Sequence, residues 1–324
     1  MTDTAKTLDR AKWHRPPVSV IVTHHNYSDH VEDALLSVID QSYENWECVI
    51  VDDASTPAHQ QRLRAIVEAL GSNRIRILEL AENVGQTQAT YAGLDATTGE
   101  FVCILDPDDR YAQSFIEEAV AGHLNETVYC PLLSTDQYLV RDGHVITGTY
   151  IGKNLAFADR QPGGTLADHT VPGRLLYFPA DHSGWHWGST SSLMFRRPAM
   201  ELMRPQKSLT YFRSVDSYLA QGAHRIGGCL VLTRPLVYRT VHRGNSYLVD
   251  GIFALGQDKG RYDGASHSRL CLADALDAIK ANGGEKHIVT PKRRKARGTL
   301  QRWRRSIGKR WTAFKHWKEI RHAG

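Results

Sequence analysis

Asp106-Pro107-Asp108-Asp109 places three carboxylates within four residues, directly after the apolar run Phe101-Val-Cys-Ile-Leu105. Like charges this close repel strongly unless a cation or hydrogen-bond donors compensate them. Carboxylate oxygens suit Mg2+ or Mn2+, ions that keep waters and also bind phosphate oxygens, so a nucleoside diphosphate is a natural co-ligand. A solvated acidic turn capping the next helix accounts for the same residues equally well, and the motif alone leaves both readings open. Two other polar clusters also end apolar runs: Thr23-His24-His25-Asn26 and Asp52-Asp53. Downstream, Trp185-His186-Trp187-Gly188-Ser189 combines flat aromatics with small polar residues, a composition suited to holding a sugar by stacking and hydrogen bonds. Aromatics that anchor a long loop are the competing reading there.

The elements that must position these clusters follow from periodicity. Short apolar runs predict buried strands over 18–23 and 101–105 and a strand of the same pattern over 46–51; 74–80 supplies a further strand, and helical spacing fills 30–41, 59–70 and 85–97, with Gly99 ending the last helix. Strands alternating with helices imply right-handed βαβ units and an α/β, Rossmann-like, mostly parallel sheet flanked by helices. Ligands of such sheets sit outside the carboxyl ends of the strands, where all three polar clusters fall. Beyond about residue 130 the pattern loosens. Arg141-Asp142-Gly143-His144 signals a hairpin, 161–188 reads as long loops, 192–195 as a short strand, 198–203 and 216–224 as helices, and 229–238 as one or two strands.

Of the 324 residues, 41% are hydrophobic and 23% charged, enough for one enzyme-sized core and far from the disordered class. The five cysteines are odd in number and form no CxxC pair, which predicts buried thiols in a reducing compartment and no structural zinc. Residues 1–17 carry Asp3 and Asp9 without an apolar run, and no stretch approaches 18 apolar residues. The expectation is a chain neither secreted by that route nor membrane-spanning. No GxGxxG follows the first strand, which removes support for a dinucleotide-dependent oxidoreductase.

In order and spacing, Val18-Ser-Val-Ile-Val-Thr-His-His-Asn26, Val49-Ile-Val-Asp-Asp-Ala-Ser-Thr56, Asn83-Val-Gly85, Gly93, Gly99-Glu100, Asp106-Pro-Asp-Asp109 and Val215-Asp216 together resemble family 2 of the inverting glycosyltransferases. The resemblance covers roughly residues 18–245 and implies a GT-A fold, a nucleoside-diphosphate sugar donor and a divalent metal, Mg2+ or Mn2+. It places Thr23 and Asp53 against the nucleotide base, and His25 where the family usually has a Tyr. It implies that Asp108 bridges the metal and that Asp106 sits near the ribose or a metal-bound water, with Asp109 in support. Asp216, at a helix start, matches the family's base. Arg239 and His242 match its closing segment, where a His approaches the metal or the phosphates. The Trp185, Trp187, Gly188 and Ser189 stretch stands where the acceptor loop would be. Ala89-Thr90-Tyr91 replaces the usual Ala-Arg-Asn and leaves the donor open, while the lack of a QxxRW motif argues against a processive synthase.

The resemblance thus implies transfer of a sugar, with inversion, to a saccharide or lipid-linked acceptor in cell-envelope or exopolysaccharide biosynthesis. A non-catalytic nucleotide-binding or scaffold protein of the same fold is the alternative. The expected organisation is an N-terminal extension (1–17), a nucleotide-sugar half (18–130), an acceptor half of the same domain (131–250), a helical extension (251–290) and a basic tail (291–324). That tail carries thirteen Lys and Arg against one Glu, leaving the preceding residues net acidic. Leu300, Trp303, Ile307, Trp311, Phe314 and Trp317 share one helical face, which predicts an amphipathic helix lying on an anionic membrane surface, ahead of nucleic-acid binding or packing on the domain. This places the chain in the cytoplasm, peripheral on the inner face of the cytoplasmic membrane.

Overall fold

The computed structural model describes residues 15–125, 127–147, 165–168, 175–209, 215–242 and 264–290. β1 (Val18–His24) is buried along its whole length because helices cover both faces of the sheet. Successive side chains alternate between those faces. Val18, Val20 and Val22 join one core with Val31, Ala34, Leu35 and Val38 of α1 (Val31–Ile39). Ile21 joins the other core with Ala89 and Leu94 of α3 (Gln86–Asp95). β2 (Trp46–Asp52), β3 (Ile75–Glu79) and β4 (Phe101–Leu105) lie parallel to β1 in the order β3-β2-β1-β4. α2 (Pro57–Leu70) joins β2 to β3, opening with Pro57 and closing on Gly71 at φ 60°, a left-handed cap that glycine adopts without strain.

Gly99 has a different task from the one its sequence position suggests. α3 ends at Asp95 with Ala96 as its cap, while Gly99 lies where the chain leading into β4 passes β1. A Cβ there would stand 2.5 Å from Ser19 N and 2.8 Å from Val18 C, both backbone atoms that cannot rotate away. Gly99→Ala is therefore expected to destabilise the fold by about 3 kcal/mol, the upper end for overpacking. Equilibrium urea denaturation reads this as a lower midpoint at unchanged m; an unshifted midpoint would show that the strands separate freely.

The second half comprises β5 (Arg110–Tyr111), α4 (Phe115–His123), β6 (Leu132–Arg141), β7 (His144–Thr147), β8 (Thr165–Asp168), β9 (Leu175–Phe178), β10 (Leu193–Arg196), α5 (Arg197–Leu202), α6 (Val215–Gly227), β11 (Cys229–Thr240) and α7 (Gly264–Ala281). The sheet continues β4-β10-β6-β11-β9-β8. Antiparallel β10 pairs with both β4 and β6, so the two halves share one sheet. Parallel pairing holds among the first four strands and between β6 and β11, and the remaining pairs are antiparallel. The expected hairpin joins β6 to β7, with Asp142 at φ 49° and Gly143 at φ 77°, the left-handed pair that a two-residue turn requires. The stretch read as long loops instead contributes β8 and β9. Leu175-Leu-Tyr-Phe178 was its overlooked signal, a short continuous apolar run that pairs with the start of β11. α4 was also unforeseen; it begins just past the acidic motif and buries Phe115, Ile116, Ala119 and Val120.

All five cysteines are buried and unpaired, and burial pushes the Cys48 thiol up to about 12. No helix among the described residues is long and apolar enough to cross a membrane. The basic amphipathic helix expected over 291–324 lies outside the described residues, as do residues 1–14 of the N-terminal extension.

Candidate active site

The pleat decides which residues at the ends of β1 and β2 face one another. His24 and Asp52, on the α1 side, form a buried pair with Nδ1 2.7 Å from Oδ1. Asp52 Oδ2 also accepts from Gln60 Nε2 at 2.9 Å and from the Ser55 backbone N–H at 3.3 Å. Burial alone would raise the Asp52 carboxyl, but the bonds from Ser55, Gln60 and His24 outweigh it and hold the group below its usual range. Burial pushes His24 down against the pull of Asp52, so a neutral imidazole donates to a carboxylate. These groups shape the turn rather than the cleft.

Asp53 is 4% exposed and anchors the approach to α3. Its Oδ1 accepts from Val84 N–H at 2.7 Å and its Oδ2 from Gly85 N–H at 2.8 Å. A carboxylate has about four acceptor sites, so two remain open to a ligand. His25 is exposed beside it, with Nδ1 2.8 Å from the Asp53 carbonyl. Asn26 Oδ1 accepts from Thr56 N–H, so its amide nitrogen donates to His25 Nε2 at 3.1 Å. Asn83 Nδ2 lies 3.1 Å from Nδ1, so Asp53, Asn26 and Asn83 together hold the flat ring in place.

Thr23 lies on the α3 face of β1, beside the end of β4. Gln86, the first residue of α3, spans Thr23 and the acidic motif, with Nε2 3.3 Å from Thr23 Oγ1 and donating to Asp106 Oδ1 at 2.8 Å. Within the motif, Asp109 N–H donates to the Asp106 carbonyl at 3.1 Å and closes the turn around Pro107. Asp109 is 3% exposed and committed on both oxygens, accepting from Ser191 Oγ at 2.7 Å and from Thr240 N–H at 2.9 Å. Ser191 Oγ in turn accepts from Asp106 N–H at 3.1 Å. Asp109 therefore ties the motif to β11 and to the turn before β10, which leaves Asp106 and Asp108, both half-buried, to face the cleft.

The carboxylates of the site crowd one another. Burial, followed by the carboxylates of Asp109, Asp108 and Asp216, pushes the Asp106 carboxyl well above its usual range, while Arg239 pulls it down. Burial and Asp108 push Asp109 up to about 7 against Arg239, Ser191 and Thr240. Asp216, in the first turn of α6, is thus brought within the field of Asp106 from 110 positions along the chain. On β11, Arg239 faces the same carboxylates, and His242 places Nε2 2.9 Å from Asp108 Oδ2. The His242 ring stacks on His30 at 4.9 Å and 16°, with Tyr27 adjoining both. Burial, with Asp108 and Asp106, raises the Tyr27 phenol, which places Tyr27 at the same mouth.

The Trp185–Ser189 stretch divides. Trp185 is 37% exposed, whereas Trp187 is 2% exposed and packed into the core on the α6 side. Gly188 N–H donates to Ser134 Oγ at 3.0 Å, and Ser189 Oγ donates to Gln137 Oε1 at 2.9 Å. Gly188 and Ser189 thus hold the loop against β6, and two residues later Ser191 holds the acidic motif. Gln86, Tyr27 and His30 were missed in sequence, while Ser191 lay within the small polar residues that follow Trp187 and was read for the acceptor rather than for the acidic motif. Gln86 directly follows Gly85 at the helix start, a position that could have marked it; the others carry no local signal.

The sequence model of glycosyl transferase family 2 matches residues 19–181. TuaG of Bacillus subtilis (strain 168), named as a teichuronic acid biosynthesis glycosyltransferase, is 36% identical over 104 residues, 32% of this chain and 40% of that protein. The chain therefore spans less than half the length of that curated relative. Among solved structures, S. aureus TarS 1-349 in complex with UDP-GlcNAc superposes with a TM-score of 0.51 at 18% identity, covering 82% of this chain and 73% of that one. The mannosyltransferase PcManGT from Pyrobaculum calidifontis, in complex with GDP-Man and Mn2+, superposes with a TM-score of 0.51 at 20% identity, covering 83% and 76%. At these identities the two structures establish the fold, a central sheet flanked by helices of the GT-A type. With half of its residues matched to that sequence model, and with the motif order and fold in agreement, this chain belongs to glycosyl transferase family 2.

Proposed function

We propose that this chain transfers a sugar, with inversion, from a nucleoside-diphosphate sugar to a hydroxyl acceptor in cell-envelope or exopolysaccharide assembly. The observation that carries this reading is the field at Asp106, where the carboxylates of Asp106, Asp108, Asp109 and Asp216, from two distant segments, converge beside Arg239. The donor set, half-buried carboxylate oxygens of Asp106 and Asp108 crowded by like charge, fits a hard divalent cation. Asp108 and Asp106 would hold it, with His242 against Asp108. Among the described residues no three such side chains are gathered ready-made, so diphosphate oxygens would complete the shell. Bound there, the cation would neutralise charge developing on the leaving diphosphate.

Thr23 and the remaining acceptor capacity of Asp53 would hold the base, with the flat His25 ring beside it. Asp216 would take the acceptor hydroxyl's proton as that oxygen attacks the anomeric carbon opposite the diphosphate, a single displacement that inverts configuration. Arg239 would attract the diphosphate electrostatically, and Trp185 would present its exposed face to the acceptor. TuaG, a relative in teichuronic acid biosynthesis by name, supports the envelope assignment. Incubating the purified chain with UDP- and GDP-sugars and Mn2+ or Mg2+ tests the reading. Metal-dependent sugar release is expected, and proton NMR before mutarotation should show the anomer opposite to that of the donor. Retention would refute inversion, and the absence of turnover with every donor would refute transfer.

A further inference from the structure

A cavity of about 270 Å³ lies between α6, α7 and the segment 182–187. Every residue lining it follows residue 181, where the family match ends. Two lining side chains are buried with a polar atom unanswered among the described residues. Trp187 is 2% exposed, and its Nε1–H, which can only donate, meets no acceptor among them. His224 is 3% exposed; its Nε2 lies 3.0 Å from the His182 carbonyl, to which it must donate, so Nδ1 is left as a bare acceptor that meets no donor among the described residues. Burial, the largest influence, pushes His224 down to about 4, so the ring is neutral and Nδ1 accepts at ordinary pH. The two rings lie 5.6 Å apart. Native folds answer nearly all buried donors and acceptors with protein, water or ligand, so an orphan of each kind side by side points to an occupant.

The chemistry of the pair narrows that occupant. A carboxylate or phosphate could accept from Trp187 but could not donate to His224, and an ammonium could do only the reverse. A hydroxyl does both. At the mouth, Trp185 is 37% exposed and 5.0 Å from the Trp187 ring, presenting an aromatic face to whatever carries that hydroxyl. Gln221 and Ser268 bond to each other, Ser268 Oγ donating to Gln221 Oε1 at 3.1 Å, and so form wall rather than grip. α6, whose Gln221 and His224 line the cavity, carries Asp216 in its first turn.

We propose that this cavity is a carbohydrate subsite that seats a sugar ring of the acceptor, one hydroxyl accepting from Trp187 Nε1–H and donating to His224 Nδ1, the ring's C–H face on Trp185. The word acceptor rests on the transfer reading above; the binding itself does not. The full chain, without donor, would be titrated with methyl glycosides of common hexoses and N-acetylhexosamines, followed by tryptophan fluorescence and saturation-transfer NMR. At least one glycoside is expected to bind. Trp187→Phe, which keeps the ring and removes the N–H, should weaken it about tenfold. Trp185→Ala, at the exposed mouth where folding is not at stake, should remove measurable binding. No binding by any glycoside, or binding that both variants leave unchanged, would overturn the proposal and leave ordered water as the occupant. Because no donor is present, a chain that turns over no nucleotide sugar can still pass this test, and one that fails it can still turn over donor.

Discussion

Asp108→Ala is expected to lower donor turnover by about a thousandfold and to abolish the metal dependence of nucleotide binding, as removal of a metal-holding, charge-stabilising group should. The size of the effect follows from what the substitution leaves intact. The turn is closed by Asp109 N–H to the Asp106 carbonyl, and Asp109 is clamped by Ser191 and Thr240, none of which involves the Asp108 side chain. The motif should therefore keep its shape. Removing one of several crowded carboxylates also relieves repulsion at Asp106, so thermal stability should hold or rise. Calorimetry of UDP or GDP binding with and without Mn2+, beside turnover and a melting curve, separates these effects. Metal-dependent turnover within tenfold of the parent would show that Asp108 holds no metal.

Asp216→Asn is expected to separate binding from chemistry. The acceptor hydroxyl must lose a proton in the transition state, and a positioned base contributes roughly a hundred- to ten-thousandfold. Asparagine cannot take that proton. It still offers Oδ1 to the Ser217 backbone N–H, which Asp216 Oδ1 meets at 2.6 Å, so the start of α6 should survive. The donor is an anion and Asp216 adds to the negative field at Asp106, so removing that charge should leave nucleotide affinity equal or slightly improved. The expected pattern is transfer kcat down at least about a hundredfold, with the Kd for nucleotide unchanged or lower. Transfer within tenfold of the parent would remove Asp216 from the base role, and loss of nucleotide binding would reassign it to holding the site together.

Much of the site was legible because strand ends announce themselves. β1, β2 and β4 are largely apolar runs with polar residues gathered at or just past their ends, since strands buried on both faces carry few polar side chains along their length. That rule located Thr23, Asp53 and Asp106 together. It could not separate Asp52 from Asp53, or His24 from His25, because adjacent residues differ by which way the pleat turns them. Asp52 and His24 went into a buried pair on the α1 side, while Asp53 anchored Val84 and Gly85. Gly99 was misjudged for a related reason: a helix-ending glycine and one admitting a close strand crossing look alike until Ser19 is seen against it. β8 and β9 were missed because four-residue strands carry little periodicity, and β9 depends on β11, and β8 on β9, for pairing.

By itself the sequence determined the alternation of strands and helices in the first half, the burial of β1 and β4, the clustering of carboxylates at one strand end and the family to which these belong. These are consequences of local composition and two-residue periodicity, which act within a few neighbours. Only the tertiary structure decided the division of labour among the carboxylates. Asp109 became a clamp because Ser191 and Thr240, from a distant turn and strand, arrive at its two oxygens. Asp216, matched to the family's base in sequence, came within the electrostatic field of Asp106 because of where α6 starts. Trp187 and His224, far apart in the chain, became one orphaned donor and acceptor pair because α6 packs across the loop before β10. Electrostatic fields and hydrogen-bond shortfalls depend on distance in space, and the folded sheet sets that distance.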